Sequence, residues 1–427
     1  MVAREHVHYF GAGPAPLPTD VLEQASRALL NYKDKGIGLC EISHRSPDAN
    51  EILANTKAAL ANLLDIPDDY EILFLQGGGS GEFSAVVYNL VSIWVEKRRA
   101  RAEKELGHVS QDKVLERLRK EVEDELKLDY LVTGSWSLKA SQEAARLVGA
   151  QHVNVALDAR DANHGKFGRI PPESEWRLTP RKQNGGAALA YFCDNETVDG
   201  VEFPFFPQSL EGDDAAPVVA DMSSNFISRK VDARKYAVIF GGAQKNIGNT
   251  GITIVIVRKS LLPPVSKYAS ADLLRALNLP VGPVVLDWPT IAKNNSLYNT
   301  LPIFDVWVAG QVMSGLVQTY GVKKISGQEE ISNEKAKMIY KTLDKYPDVY
   351  SVVPDKSVRS RMNICFRVGG GDAEKEKGFL AGAEKMGLLG LKGHRSVGGI
   401  RASNYNAVSV EGAEKLVAYL EDYAEKA

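Results

Sequence analysis

Cysteine is scarce: three residues in 427, Cys40, Cys193 and Cys365, all far apart. No two have zinc-ligand spacing and three cannot make a paired framework, which excludes a disulfide scaffold and a Cys-based metal site. The expectation is three small buried hydrophobes in a reducing compartment. The seven histidines are scattered, with no HExxH pattern, so no structural or catalytic metal is expected. Long apolar runs are also missing. The most apolar stretch, Ile252 to Val257, is far too short to span a bilayer. Met1 to Pro18 carries charges and prolines and no apolar segment of the secretory kind, so the chain reads as cytoplasmic. Net charge of one sign is absent too: 52 Lys+Arg stand against 54 Asp+Glu. Neither a nucleic acid nor a membrane surface is an expected partner. There is no internal repeat and no low-complexity tract.

What is present is an ordinary globular composition, 44% hydrophobic and 25% charged, over a length suited to two or three domains. Gly11 to Pro18 is dense in glycine and proline and reads as an extended arm. Thr19-Asp20 offers an N-cap for a helix over Val21 to Leu30, and Ile52 to Leu64 is a second amphipathic helix ended by Pro67. Tyr70 to Leu75 is strand-like, and Glu82 to Val95 is helical. Residues 97–128 turn densely charged, with Val114, Leu118, Val122 and Leu126 in one narrow apolar stripe. This stretch reads as a surface helix or helical hairpin inserted into the domain.

Short apolar runs come next at Tyr130 to Thr133, Leu189 to Phe192, Pro217 to Asp221, Tyr236 to Phe240 and Ile252 to Val257. Strands spaced by helical stretches imply an α/β domain with a mostly parallel sheet. Past residue 318 the texture changes: helix over Glu329 to Leu343, strand over Met362 to Val368, helices over Gly378 to Met386 and Glu411 to Glu425. The expected division is a large domain over 20–317, with the arm 1–19 joining a smaller α+β domain over 318–427.

Three features carry chemistry. Gly77-Gly78-Gly79-Ser80-Gly81 lies between a strand and a helix, where backbone amides can approach a phosphate. Alone it fits a ligand-free turn equally well, and it lacks both the P-loop lysine and the dinucleotide GxGxxG spacing. Asp221 ends an apolar strand, where a carboxylate is costly unless it meets a cation or several donors. Lys245 comes after another such strand, inside Gly241-Gly242-Ala243-Gln244-Lys245-Asn246. Together they match the needs of pyridoxal phosphate: a lysine to hold it covalently, an acid for its ring nitrogen and a turn for its phosphate.

Longer motifs carry a resemblance. Glu-Ile-Ser-His-Arg-Ser at 41–46, Asn-Glu-Thr-Val-Asp-Gly at 195–200, Asp-Met-Ser-Ser at 221–224, the 241–246 turn and Lys-Gly-His-Arg-Ser-Val-Gly-Gly-Ile-Arg-Ala-Ser at 392–403 resemble the phosphoserine aminotransferases, in the family's order. The resemblance implies a homodimeric, fold-type-I pyridoxal phosphate enzyme with shared active sites. It would interconvert phosphoserine plus 2-oxoglutarate and 3-phosphohydroxypyruvate plus glutamate, in serine biosynthesis. Some members also accept 4-phosphohydroxythreonine.

Carried over by position, Lys245 would hold the cofactor and shuttle a proton, Asp221 would pair with the ring nitrogen, and Trp136 would stack on the ring. Thr197 would reach its phenolic oxygen; Gly79, Ser80 and Gln244 would hold its phosphate, joined by Asn299 and Thr300 of the other subunit. Arg401 would take the substrate α-carboxylate, and His44 and Arg45 its distal group. His394 and Arg395 would come from the partner and bind the substrate phosphate. Ser80 departs from the bacterial pattern, which has an arginine there, and the stretch 97–128 is longer than that pattern. Another fold-type-I transaminase or a desulfurase relative shares many of these features, and a nicotinamide dehydrogenase shares the glycine turn.

Overall fold

The computed structural model describes residues 3–107, 110–181, 186–212 and 214–427. His108 and Val109 of the charged stretch, and Met1 and Val2 of the arm, lie outside the described residues. The arm is extended through β1 (His8–Tyr9) and leads into α1 (Thr19–Ala28). Thr19 and Asp20 are the first helical residues rather than the cap, which falls on Pro18. The next helix, α2 (Pro47–Leu64), starts earlier than Ile52. Ser46 Oγ accepts the Ala49 amide at 3.2 Å, and Pro47 fits the first helical position. It ends at Asp65, which turns left-handed at φ 50° ahead of Pro67.

After β2 (Tyr70–Leu75) the glycine turn opens α3 (Gly78–Leu106), one helix running from the turn into the charged stretch. There α4 (Gln111–Glu125) folds back on it. The expected hairpin is thus seen, but its first arm is the end of α3. Val114, Leu118, Val122 and Leu126 are all buried between the two. Arg98 is buried with them and pairs with Glu125 at 2.7 Å and Glu121 at 3.5 Å.

The chain continues through β3 (Leu128–Val132), α5 (Ser135–Val148), β4 (Val153–Asp158) and β5 (Leu189–Cys193). A small hairpin, β6 (Asn195–Glu196) and β7 (Val201–Glu202), precedes β8 (Val218–Asp221), β9 (Val238–Gly242) and β10 (Thr253–Arg258). Among the described residues, seven strands form one sheet in the order β2-β10-β9-β8-β5-β3-β4. All pairings among β9, β8, β5, β3 and β4 are parallel; β10 runs antiparallel to both its neighbours. Successive residues face opposite sides, so Phe74, Phe192 and Ile239 join one core while Leu73, Tyr191 and Phe240 join another. Burial on both faces explains why these strands read as continuous apolar runs.

Then come α6 (Ala271–Ala276), α7 (Trp288–Lys293), α8 (Ile303–Tyr320) and α9 (Ile325–Lys345). The remainder is β11 (Tyr350–Val352), β12 (Asn363–Val368), α10 (Ala373–Lys385), β13 (Leu388–Leu389), β14 (Ile400–Ser403) and α11 (Val410–Lys426). Strands β11, β12 and β14 make an antiparallel sheet over a third core containing Ile339, Phe366, Phe379 and Leu416. Phe10 of the arm is fully buried in that core, and β1 pairs with β13.

One cysteine departs from expectation. Cys193 and Cys365 are buried, but Cys40 is exposed in the turn before α2, where Leu39 takes the buried place instead. No described helix is long and apolar enough to cross a membrane.

Candidate active site

Because β2, β3, β5, β8 and β9 point the same way, the loops at their C-terminal ends gather at one edge of the sheet. That edge is where open α/β sheets bind ligands. The glycine turn comes after β2, Trp136 after β3 and Thr197 after β5, while Asp221 ends β8 and Lys245 lies just beyond β9. All five surround a cavity of about 430 Å³. The arm supplies another part of its wall through Ala12, Gly13 and Pro14, tied down where the Ala15 amide donates to the Gln244 carbonyl at 2.9 Å.

Lys245 is buried, and its Nζ donates to Thr197 Oγ1 at 2.7 Å. Burial pushes its ammonium from 10.5 down to about 8, with Asp221 pulling the other way. Asp221 is equally buried. Its Oδ1 accepts the Ser223 amide at 2.8 Å and the Ser223 hydroxyl at 2.6 Å, and the Tyr191 hydroxyl approaches Oδ2 at 3.5 Å. Burial pushes its carboxyl up, while the Ser223 donors and Lys245 favour the anion. A carboxylate held this way is primed for a cationic partner.

In the glycine turn, Gly77 and Gly78 have φ of 126° and 66°, which a side chain would strain, and α3 starts at Gly78. The first-turn amides of a helix have no partner within it, and Gly79 and Ser80 of that turn line the cavity.

Trp136 is fixed from behind. Glu196 accepts the Trp136 amide at 2.8 Å, the Ser137 amide at 2.9 Å and the Ser137 hydroxyl at 2.6 Å. Asp199 accepts the Ser135 amide at 2.7 Å. Two carboxylates therefore cap α5; burial pushes both carboxyls up, and the charge of Asp199 adds to the rise at Glu196. Arg401 on β14 donates from Nη1 to the Thr197 carbonyl at 3.0 Å, near Asp199. His394 sits on the cavity wall beside it, its Nδ1 2.6 Å from Ser396 Oγ.

The structure thus brings together Gly79, Ser80, Trp136, Thr197, Asp221, Gln244, Lys245, His394 and Arg401. His394 lies in the wall of its own chain's cavity. His44, Arg45, Asn299, Thr300 and Arg395 do not line that cavity. Arg45, Thr300 and Arg395 are exposed, and Asn299 Nδ2 donates to Gln76 Oε1 at 2.6 Å at the foot of the glycine turn. His44 Nε2 is buried without a hydrogen-bond partner. Sequence reasoning passed over Glu196, Asp199 and Ser223, although two acids flanking Thr197 just after a strand were a readable signal.

Comparison with known proteins agrees with this geometry. The model of the class-V aminotransferases matches residues 7–165 and 152–416. A phosphoserine aminotransferase of Saccharomyces cerevisiae is 43% identical over 99% of this chain and 98% of its own. One from Drosophila melanogaster is 40% identical over 95% of each chain. The chain belongs to the phosphoserine aminotransferase family. Among solved structures, the phosphoserine aminotransferase from Bacillus circulans subsp. alkalophilus superposes with a TM-score of 0.79 at 33% identity, over 98% of both chains. A pyridoxal-phosphate-bound phosphoserine aminotransferase from Trichomonas vaginalis gives 0.78 at 31% identity, over 97% of this chain and 99% of its own.

As a family member, this aminotransferase has the fold-type-I α/β architecture and uses pyridoxal phosphate. Its cavity fits that group on its own terms. A buried nucleophilic lysine faces a buried acid, and Gly79 leaves room that a Cβ would fill 3.5 Å from Ser223 Oγ. The buried Nε1 of Trp136 and Nε of Arg401 have no hydrogen-bond partner within the protein.

Proposed function

We propose that the enzyme interconverts O-phospho-L-serine plus 2-oxoglutarate and 3-phosphohydroxypyruvate plus L-glutamate, running in cells toward phosphoserine for serine biosynthesis. The observation that carries this reading is the buried Lys245–Asp221 pair in one cavity with Arg401 and His394, in a chain alike over its full length to phosphoserine aminotransferases.

The bound cofactor supplies an electron sink that makes the substrate Cα–H acidic. Lys245 Nζ takes that proton and returns it on the other side of the transfer, a role suited to an amine that titrates near 8. Asp221, oriented by Ser223, pairs with the ring nitrogen, and Thr197 Oγ1 reaches the phenolic oxygen. Trp136 offers its flat face to the ring. Gly79, Ser80 and Gln244 hold the cofactor phosphate.

Arg401 binds the α-carboxylate common to both amino acids through its planar fork. His394 binds the substrate phosphate, with Arg395 reaching it from a second copy of the chain. His44, Arg45, Asn299 and Thr300 serve the site of a second copy of the chain. A homodimer with shared active sites is part of this reading, and the site then closes only on assembly. The large domain over 20–317, with the arm and 318–427 as the smaller one, is part of the same reading, as is a cytoplasmic location.

The test is the near-visible spectrum of the purified holoenzyme. Its yellow band should bleach on adding phosphoserine and return with 2-oxoglutarate. A band indifferent to phosphoserine but answering another amino acid overturns the substrate assignment.

A further inference from the structure

The surroundings of the cavity carry more positive charge than the assigned roles use. Arg401 has the Thr197 carbonyl and Asp199 as neighbours, and Lys245 has Asp221. Lys139 has no such acid. It is exposed on α5, three residues after Trp136, with Nζ 4.2 Å from the centre of the Trp136 ring. Glu143 is the carboxylate one turn further along, on the same face of the helix. It is already engaged by Arg146, at 2.7 and 2.6 Å, and by the Ser84 hydroxyl. Among the described residues, no carboxylate forms an ion pair with Lys139.

His394, on the cavity wall, places this ammonium relative to the site. Burial first, and then the positive fields of Arg401, Lys139 and Arg395, favour its neutral ring. Lys139 does not line the cavity itself, but it sits against one lining residue, Trp136, and its field reaches another, His394, so it lies beside the space that takes the far end of the substrate. The glycine turn adds only a hydroxyl there, from Ser80. The two amino-acid substrates differ most at that far end. Phosphoserine presents a phosphate of about −1.5 to −2 charges and three acceptor oxygens, glutamate a carboxylate of one charge.

We propose that Lys139 is a specificity-determining residue, whose ammonium pairs with the distal phosphate of the phosphorylated substrate and adds little for the distal carboxylate of glutamate. The inference rests on the phosphoserine reading of the site. Attraction scales with the charge of the anion, and a lysine is a mobile point charge that reaches a phosphate without needing a fixed fork. The Trp136 ring holds the ammonium beside the cavity without neutralising its charge.

The test uses the holoenzyme with Lys139→Met, which keeps the stem against Trp136, and Lys139→Arg, which keeps the charge. Two readouts are taken: kcat/KM for phosphoserine and for glutamate, and calorimetric affinity for 3-phosphoglycerate and for glutarate. In Lys139→Met, phosphoserine turnover and 3-phosphoglycerate affinity should fall roughly tenfold. Glutamate and glutarate should change less than about twofold. Lys139→Arg should restore the phosphorylated ligands. Equal losses for both ligand classes overturn the proposal, since Lys139 would then only support Trp136, and no loss for either overturns it as well. A wild-type enzyme that turns over no phosphoserine sinks the functional reading instead, while the two affinities still decide Lys139.

Discussion

In enzyme stripped of its cofactor, the Lys245 amine should titrate near pH 8 instead of 10.5. The cause is burial, which penalises the ammonium more than Asp221 restores it. A displacement of that size is worth about 3 kcal/mol. At about pH 7.5, roughly a quarter of the amine is then neutral, against about a thousandth for an ordinary lysine, a gain of roughly 250-fold in nucleophile. The stability linkage has a definite sign. Between pH 8 and 10.5 the unfolded chain holds a proton that the folded chain has released, so stability rises with pH across that window. The cost of the buried amine is fully present below it. Asp221→Asn removes the main charge favouring the ammonium and should move the midpoint lower still. The assay is the rate at which apoenzyme captures pyridoxal phosphate as a function of pH, followed in the near-visible. A wild-type midpoint close to 10.5, or an upward shift in Asp221→Asn, would refute the reasoning.

Two other substitutions probe the frame and the floor of the site. Glu202 is buried on β7 and accepts Arg361 through Nη2 at 2.6 Å, Nε at 3.2 Å and the backbone amide at 2.9 Å. Burial opposes its charge, yet Arg361 and Arg229 hold its carboxyl down to about 2. Glu202→Ala leaves both guanidiniums short of a partner and should cost about 3 kcal/mol in denaturant unfolding at neutral pH. In the wild type this contribution is complete above 4.5 and is lost as pH falls toward 2. A loss below about 1 kcal/mol at neutral pH would count against it. Arg401→Lys gives up the planar fork that suits the α-carboxylate shared by both amino acids, so kcat/KM should fall roughly tenfold or more for phosphoserine and glutamate alike. A loss confined to one of them would place Arg401 at the distal end of the substrate instead.

How much of this was legible in the sequence depends on where each interaction partner lies along the chain. Asp221 and Lys245 were readable because each comes at or just after the end of a short apolar strand, and a charge there demands a reason. The strand β4 was missed because it is the edge of the sheet: Val153, Asn154 and Val155 are not buried, so no apolar run marks it. The reversed direction of β10 had a signal that went unused. Only residues 243–252 separate it from β9, too few for the crossover that a parallel neighbour needs. The start of the charged stretch looked like a boundary because composition changes at Lys97-Arg98-Arg99. The helical period does not change there, and Arg99 pairs within α3 with Glu96 and Glu103. His44, Arg45, Asn299, Thr300 and Arg395 were named from motif resemblance alone, and one chain's folding does not bring them to its own cavity.

The roles of Glu196 and Asp199 were hidden for a different reason. Their partners are backbone amides of Ser135, Trp136 and Ser137, about 60 residues away, and no periodicity encodes such a bond. Yet this hairpin does more than cap a helix. Thr197, between the two acids, accepts Lys245 through its hydroxyl and Arg401 through its carbonyl. Asn195, just before them, is buried and donates to both Ser224 and Asn363, joining the Asp221 loop to β12. One short segment therefore sets the aromatic wall, the lysine, the arginine and the link between the two sheets. A shift of this hairpin would disturb cofactor and substrate contacts together, which is a physical reason for so many polar side chains to be packed into six buried residues.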